Sequence, residues 1–210
     1  MNIRQLKKWH RLKKSEINER LLEFKSRKSD KEIFEELCFC ILTANASAKM
    51  GLKSIAAIKN KILTASETEI KNLLKGNHRF YNVRSRYIVH TRNYLKNICC
   101  LNLKKLLDSI KSPQELRKYF AATKDIKGIG YKEASHFLRN IGYSDYAILD
   151  KHILSCLREM KVIKEIPKQL TEQKYCEIEK KMKKFSKKIG INMDELDLTL
   201  WSYKTGEILK

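Results

Sequence analysis

Apolar side chains recur every three or four residues along most of the chain, which is the spacing of one helix face. Residues 3–24 predict an amphipathic N-terminal helix or a pair of helices, with lysines and arginines facing outward. No stretch alternates between apolar and polar residues in the way that strands do. The pattern therefore predicts an all-α protein, with further helices over residues 33–44, 87–98, 113–124, 131–141, 149–160, 172–188 and 193–204.

Capping signals mark some of the helix ends. Ser47 is a suitable cap for a helix that contains Leu52 and Ile58. Ser112 is followed by Pro113, which suits the first helical position because its missing N–H would be unpaired there in any case. The chain has only seven glycines and two prolines, and neither repeats nor low-complexity linkers divide it. A single helical domain spanning residues 1–210 is therefore expected.

The chain carries a large positive charge. Lys and Arg total 45 against 24 acidic residues, a formal net charge of +21. Basic side chains that neutralise phosphates release condensed counterions, so this excess favours a polyanionic partner, with nucleic acid as the leading candidate. A lysine-rich solvated surface is the alternative interpretation.

The six cysteines and the hydropathy pattern exclude several protein classes. The cysteine spacing fits neither a disulfide framework nor a zinc site, and it lacks the four-cysteine arrangement of an iron-sulfur cluster. The longest apolar run, residues 37–42, is too short to span a bilayer. The N-terminus lacks the apolar region of a signal peptide. We therefore expect a cytoplasmic protein with no membrane partner and no metal site.

The most informative motif is Gly128-Ile129-Gly130, which joins two predicted helices. Glycine permits the positive φ of a tight turn and the close approach of another backbone. The amides that follow Gly130 open a helix, where unpaired N–H groups can receive a phosphate. The motif predicts a helix-hairpin-helix that holds a DNA backbone without reading its sequence. An ordinary turn between helices is the alternative.

Lys132 and Asp150 are the candidate catalytic pair. Lys132 lies in the first turn of the helix after the hairpin, where the helix dipole disfavours a cation and can lower the pKa of the amine. A neutral amine can attack a sugar C1′ and form a Schiff base. Asp150 follows an apolar stretch and can stabilise positive charge at a breaking glycosidic bond and help to activate the nucleophile. The alternatives are a surface lysine and a helix N-cap aspartate.

Residues 126–134 followed by residues 149–152 resemble the HhH-GPD superfamily of DNA glycosylases. Members with lysine at the position of Lys132 are bifunctional glycosylase/AP lyases. The missing iron-sulfur cysteines argue against the endonuclease III and adenine-mismatch branches, and the length argues against the eukaryotic-type 8-oxoguanine enzyme. The chain thus resembles the short type-2 8-oxoguanine DNA glycosylase/lyases, found mostly in archaea and some bacteria.

This resemblance implies two helical lobes with the active-site cleft between them. Residues from about 1–35 and about 125–210 would form one lobe, and residues from about 36–124 the other. The expected partner is double-stranded DNA containing an oxidised base, bound by a monomer associated with the prokaryotic nucleoid. No cofactor is expected, although the hairpin carbonyls can hold a structural monovalent cation.

The resemblance also implies roles for individual residues. Asn45 would fill the gap left by an extruded base, and Arg84 and Arg86 would contact the base opposite the lesion. Lys210, at the extreme C-terminus, would recognise the oxidised base, and Trp201 is a candidate to stack on it. His136 lies one helical turn after Lys132 and is a candidate to line the base pocket, with a structural histidine as the alternative.

Two other functions remain open from sequence. The first is a glycosylase/lyase for oxidised pyrimidines or a glycosylase for alkylated bases, because the motif does not identify the lesion. The second is a non-catalytic helix-hairpin-helix module that only holds DNA. Lys132 and Asp150 argue against the module, and a nicking assay would separate the two classes.

Overall fold

A computed structural model of the protein describes residues 2–26 and 28–209. These residues form eleven helices and no strand, which confirms the all-α prediction. The helices are α1 (Ile3–Lys25), α2 (Asp30–Thr43), α3 (Ala48–Ile58), α4 (Glu67–Leu74), α5 (Tyr81–Cys99), α6 (Leu103–Ser109), α7 (Pro113–Ala122), α8 (Tyr131–Asn140), α9 (Lys151–Glu159), α10 (Glu172–Ile189) and α11 (Met193–Thr205). In this part of the chain no helix is long and apolar enough to cross a lipid bilayer.

Side-chain caps explain where several helices begin. The Ser47 hydroxyl accepts a hydrogen bond of 3.2 Å from the Met50 N–H at the start of α3. The Ser112 hydroxyl accepts one of 3.3 Å from the Glu115 N–H at the start of α7, and Pro113 is the first residue of that helix. Each bond satisfies an N–H that the helix itself leaves unpaired. Both predicted caps are confirmed.

Three helices differ from the sequence prediction. Helix α5 starts at Tyr81, six residues before the expected position, so the segment that carries Arg84 and Arg86 is helical. Helices α4 and α6 were not predicted; they contain 8 and 7 residues, too few to show a clear period. The N-terminal segment is one helix of 23 residues, which is the first of the two alternatives predicted for it.

The chain forms two compact units. The first comprises Met1–Ser26 and Leu138–Lys210, and the second comprises Arg27–Phe137. The sequence analysis placed the divisions near residues 35 and 125, whereas the second division falls inside α8. The glycine turn belongs to the second unit, because the Lys127 N–H donates a hydrogen bond of 2.9 Å to the Thr91 hydroxyl of α5.

In the first unit, α1 packs against α11. The Trp9 indole N–H donates a hydrogen bond of 3.1 Å to the Ser202 hydroxyl, so the ring fits between the helices with its polar atom satisfied. His10 Nε2 lies 2.7 Å from the Glu195 carboxylate. In addition to these polar contacts, an apolar cluster joins the two helices: Ile17, Phe24 and Leu198.

In the second unit, α2 lies at the centre and α7 packs against α8. Every residue from 37 to 42 is buried, which explains the unbroken apolar run in the sequence. The Arg117 guanidinium of α7 lies 5.5 Å from the Tyr131 ring centroid and donates to the Ser135 hydroxyl at 3.5 Å. Phe120 and Phe137 pack edge to face, with centroids 4.8 Å apart. These contacts fix the first two turns of α8.

Candidate active site and nucleic-acid interface

Gly128 closes the turn between α7 and α8 in a conformation that only glycine adopts easily. Its φ is +75°, in the left-handed region. A Cβ added at this position would lie 2.6 Å from the Tyr87 ring and 3.0 Å from an Arg84 nitrogen. The turn therefore needs glycine both for its backbone conformation and for the close approach of α5.

Gly130 serves a different purpose. Its φ is not positive, and its N–H donates a hydrogen bond of 3.3 Å to Glu133 Oε2. Its carbonyl accepts the first bond of α8, from the Ala134 N–H at 2.8 Å. In this structure, then, a carboxylate of the same chain already occupies one amide of the hairpin that was expected to hold a phosphate.

Lys132 is the second residue of α8, as the sequence analysis predicted. Its Nζ lies 2.9 Å from Glu133 Oε1, and the two side chains are 24% and 14% exposed. The positive end of the helix dipole disfavours a cation at this position, and the adjacent carboxylate offsets that effect. The nucleophile candidate is therefore half of a close ion pair rather than an isolated amine.

Asn45, Arg84 and the hairpin, predicted separately from three distant parts of the sequence, line one cavity within the second unit. The cavity has a volume of about 610 Å³. Both aromatic rings and polar groups line it, so it offers stacking faces as well as hydrogen-bond partners. Its lining residues are Ala44, Asn45, Phe80, Val83, Arg84, Tyr87, Gly128, Ile129, Gly130 and Glu133.

Arg84 is the buried cation of this cavity. Only 7% of the residue is exposed, and its guanidinium donates a hydrogen bond to the Ala44 carbonyl. Its Nε has no hydrogen-bond partner among the described residues. Burial lowers the pKa of Arg84, while the Tyr87 phenol and the Glu133 carboxylate act in the opposite direction. The Nε is thus a buried donor without a partner among the described residues.

Asn45 occupies the turn between α2 and α3 with a left-handed φ of 57°, a conformation that asparagine tolerates better than most residues. Its carbonyl accepts a hydrogen bond from the Arg79 guanidinium, and its side chain is exposed. Arg86 is also exposed, but it lies two residues after Arg84 on α5, about 200° around the helix. The structure therefore does not bring the two predicted arginines together.

Asp150, in the first unit, is the N-cap of α9. Its Oδ1 accepts hydrogen bonds from the His152 and Ile153 N–H groups, each at 2.8 Å. The dipole of α9 favours a carboxylate at this position, just as the dipole of α8 disfavours the Lys132 cation at the start of that helix. Because both bonds go to one oxygen, the side chain is fixed while Oδ2 stays available to another group.

The backbone leading to Asp150 is held by buried side chains instead of a partner strand. Ala147 donates to Glu179 Oε1 at 2.9 Å, and its carbonyl accepts from the Tyr175 hydroxyl. The same hydroxyl accepts from the Leu149 N–H at 3.3 Å. Residues of α10 thus satisfy the polar groups of an irregular buried segment, which would otherwise be costly.

Asp197 of α11 completes this support. It accepts a hydrogen bond of 3.1 Å from the Ile148 N–H and forms an ion pair of 3.1 Å with Arg139. The two side chains are 3% and 5% exposed. Burial raises the pKa of Asp197 to about 7, and Arg139 and the Ile148 N–H act in the opposite direction. The position of Asp150 therefore depends on a buried charge pair.

Of the three residues predicted to form the pocket for the damaged base, the two that the structure describes are not among the residues lining this cavity. His136 is buried in the second unit, with its ring 5.6 Å from that of Phe39 in an edge contact, and it does not line the cavity. Trp201 is half-buried on α11 in the first unit. Lys210 lies outside the described residues.

Comparison with known proteins identifies the family. A family model described as 8-oxoguanine DNA glycosylase matches residues 17–191. The 8-oxoguanine DNA glycosylase/AP lyase of Methanocaldococcus jannaschii is 44% identical over 212 residues, which cover 98% of this chain and 99% of that protein. The chain belongs to the 8-oxoguanine DNA glycosylase family.

Solved structures of this glycosylase family have the same fold. The crystal structure of the M. jannaschii 8-oxoguanine glycosylase/lyase in complex with a 15mer DNA containing 8-oxoguanine matches with a TM-score of 0.89 and 43% identity, over 98% of this chain and 99% of that chain. The 8-oxoguanine DNA glycosylase of Thermotoga maritima matches with a TM-score of 0.88 and 33% identity, over 99% and 98% of the two chains. The resemblance inferred from the hairpin motif is confirmed.

Glu133 is a site residue of this glycosylase that is not among those predicted from sequence, although it stands next to Lys132. A signal was present: glutamate at the third position of a helix often bonds back to the N–H of the capping residue, which here is Gly130. The supports of Asp150, namely Tyr175, Glu179 and Asp197, were also not predicted from sequence. No local pattern identifies these, because they are 26 to 49 residues from the groups that they bind.

Proposed function

We propose that the chain excises 8-oxoguanine from double-stranded DNA and then nicks the strand at the abasic site, with Lys132 as the covalent nucleophile. Its family and the names of its relatives support the substrate and both activities. The observation that carries the proposal for Lys132 is its place in the first turn of α8, directly after the glycine hairpin. A backbone held at the hairpin would bring a sugar near this amine.

DNA binding would use the positive charge of the chain and the hairpin, and the lesion nucleotide would be extruded from the duplex. Extrusion costs a few kcal/mol, and least for a base pair that is already weakened. We propose that Asn45 and Arg84 occupy the resulting gap and hold the unpaired partner base. The cavity that both residues line supports this role.

The chemical steps follow from the amine. Nζ of Lys132 attacks C1′, the glycosidic bond breaks, and the base departs with the bonding electron pair. Opening of the sugar ring gives a Schiff base, and loss of a proton from C2′ then expels the 3′ phosphate by β-elimination. Asp150 would stabilise the positive charge on the sugar during base departure. No metal participates in these steps.

The lesion and assembly assignments extend this proposal. Lys210 and Trp201 are proposed to recognise the oxidised base, by a hydrogen bond and by stacking respectively. Arg86 is proposed to contact the DNA backbone, since it is exposed on the outer side of α5. The protein is proposed to act as a monomer, with a monovalent cation at the hairpin carbonyls as an optional structural component.

Borohydride trapping tests the proposal directly, because the reagent reduces a Schiff base to a stable adduct. The substrates are duplexes with 8-oxoguanine opposite cytosine, thymine glycol, or a preformed abasic site. We expect a covalent adduct on the 8-oxoguanine duplex, and Lys132→Gln should lower adduct formation and nicking by at least about 10⁴-fold while binding is retained. Glutamine is about as good a helix former as lysine, so α8 should be retained and DNA binding serves as the control.

Each alternative outcome has a definite meaning. An adduct on the thymine-glycol duplex alone would assign the protein to oxidised pyrimidines. An adduct on the abasic duplex alone would retain the lyase and reject 8-oxoguanine as the substrate. Binding without any adduct would indicate a non-catalytic DNA-binding module, and full nicking by Lys132→Gln would reject Lys132 as the nucleophile.

A further inference from the structure

We propose that Glu133 is the proton acceptor that converts Lys132 from an ammonium into a nucleophilic amine. This inference rests on the function proposed above, because it concerns the residue assigned there as nucleophile. It follows from the contacts of one side chain, which joins the hairpin, the lysine and the cavity.

Two contacts hold the Glu133 carboxylate in place, one to each of its oxygens. Residues that are adjacent in a helix point in different directions and do not normally pair. Here the Gly130 N–H binds Oε2 at 3.3 Å and turns the carboxylate back toward the start of α8. Oε1 then lies 2.9 Å from Lys132 Nζ, within reach for direct proton transfer. The hairpin amide thus positions one oxygen so that the other meets the amine.

The surroundings favour a proton shared within the pair. The carboxylate is 14% exposed, lines the cavity and is removed from most bulk water. From α5, Arg84 provides the facing positive charge, and the Tyr87 phenol lies beside that guanidinium. On α8 itself, His136 lies one turn further on and is buried against Phe39. Among these neighbours, Glu133 is the carboxylate in contact with Nζ.

The proposed step balances in atoms and charge. One proton moves from Nζ of Lys132 to Oε1 of Glu133, which leaves a neutral amine and a neutral carboxylic acid. The freed lone pair of Nζ forms the bond to C1′ as the glycosidic bond breaks. The electron pair of the glycosidic bond leaves with the base, which takes a proton from solvent. No oxidant or other reactant is required.

This arrangement predicts a particular dependence of rate on pH. In the wild-type protein the proton moves inside the pair, so the reactive form has the same total number of protons as the resting ion pair. The rate of base release should then change little near neutral pH. Without the carboxylate, Lys132 must release its proton to solvent, and the rate should rise about tenfold per pH unit.

The experiment measures single-turnover base release from an 8-oxoguanine:cytosine duplex, with the enzyme saturating, from pH 6 to pH 9. The variant is Glu133→Gln, whose amide oxygen can still accept the Gly130 hydrogen bond. Glu165→Gln, at an exposed position, is the matched control. We expect less than about threefold variation for the wild type and the control, and about tenfold per pH unit for Glu133→Gln, with the curves converging at high pH.

Two results would overturn the proposal. One is a Glu133→Gln profile parallel to that of the wild type, which would mean that the residue only caps the helix. The other is a wild-type rate that itself rises about tenfold per pH unit, which decides the question even if the variant fails to fold. If the wild type releases no base at all, the proposed function fails instead, so the two failures are distinguishable.

Discussion

The candidate nucleophile, Lys132, and the candidate charge-stabilising residue, Asp150, both stand at the start of a helix, but one helix dipole disfavours its residue and the other favours it. Lys132 is a cation in the first turn of α8, where the helix dipole is unfavourable. Asp150 is an anion at the N-cap of α9, where the dipole is favourable and two N–H groups bind it. Lys132 is balanced by one neighbouring carboxylate, whereas Asp150 is supported by a network reaching three helices of its unit.

The difference is consistent with the roles proposed for the two residues. A nucleophile has to lose a proton, move and form a bond, so an environment that weakly opposes its charge and offers a proton acceptor suits it. A residue that stabilises charge on a substrate works best when it is already in place, because preorganised groups need no reorganisation during the reaction. Lys132 therefore has one ion-pair partner, Glu133, whereas buried side chains of α10 and α11 hold the backbone that leads to Asp150.

Among the tests of the supports around these two helix starts, the largest effect is expected from Asp150→Asn. Asparagine is as good an N-cap as aspartate, so α9 and the melting temperature should be retained. The negative charge is lost, and base release should fall about 10²- to 10⁴-fold. Single-turnover kinetics and a thermal melt measure the two quantities on the same sample.

Asp150→Ala is the control for capping. It should lose the same activity and, in addition, about 1 kcal/mol of stability. If Asp150→Asn kept wild-type activity, the carboxylate would serve only as a cap, and the contrast between the two helix starts would have no catalytic meaning.

The next effect concerns the scaffold. Arg139→Met removes the counter-charge of Asp197 and should lower the free energy of unfolding by about 3–5 kcal/mol at pH 8. Arg158→Met, at an exposed position on α9, is the matched control and should change little. Chemical denaturation at fixed pH measures both, and a loss below about 1 kcal/mol would show that the pair does not support the segment before Asp150.

The same pair gives a pH test. The pKa of Asp197 is raised from 3.8 to about 7 in the folded protein. Between these two pH values, the folded state holds a proton that the unfolded state has released. Stability from this group is therefore greatest at low pH and is lost as the pH rises through about 7. The cost of Arg139→Met should accordingly be larger at pH 8 than at pH 5, and a cost independent of pH would contradict this account.

The smallest effect is expected at the hairpin. Gly128→Ala should lower the free energy of unfolding by about 1–3 kcal/mol, because alanine disfavours the left-handed backbone. The loss should be larger still because the Tyr87 ring must move. Gly190→Ala separates the two contributions, since Gly190 has a φ of +70° with no atom within 4 Å of its added Cβ. Thermal melts of both variants should show the larger loss for Gly128→Ala, together with weaker binding to duplex DNA; equal losses would mean that the approach of α5 is unimportant.

Sequence patterns were sufficient for the features that depend on local chemistry. The caps at Ser47 and Ser112, the hairpin and the position of Lys132 all follow from residues within a few positions of one another. The start of α5 was missed because its first turn is rich in polar residues, and burial of Arg84 could not be inferred from its charge. Contacts such as Ile148 with Asp197 depend on which elements pack together, and a single sequence does not contain that information.

The support of Asp150 also has a consequence for synthesis of the chain. The second unit, Arg27–Phe137, is continuous in sequence, so all of its contacts become possible once residue 137 has left the ribosome. Asp150 emerges soon afterwards, but its scaffold needs Tyr175, Glu179 and Asp197, which are translated later. A growing chain can thus assemble the hairpin and Lys132 well before Asp150 is fixed, and truncated products would carry the proposed nucleophile without the proposed charge-stabilising carboxylate.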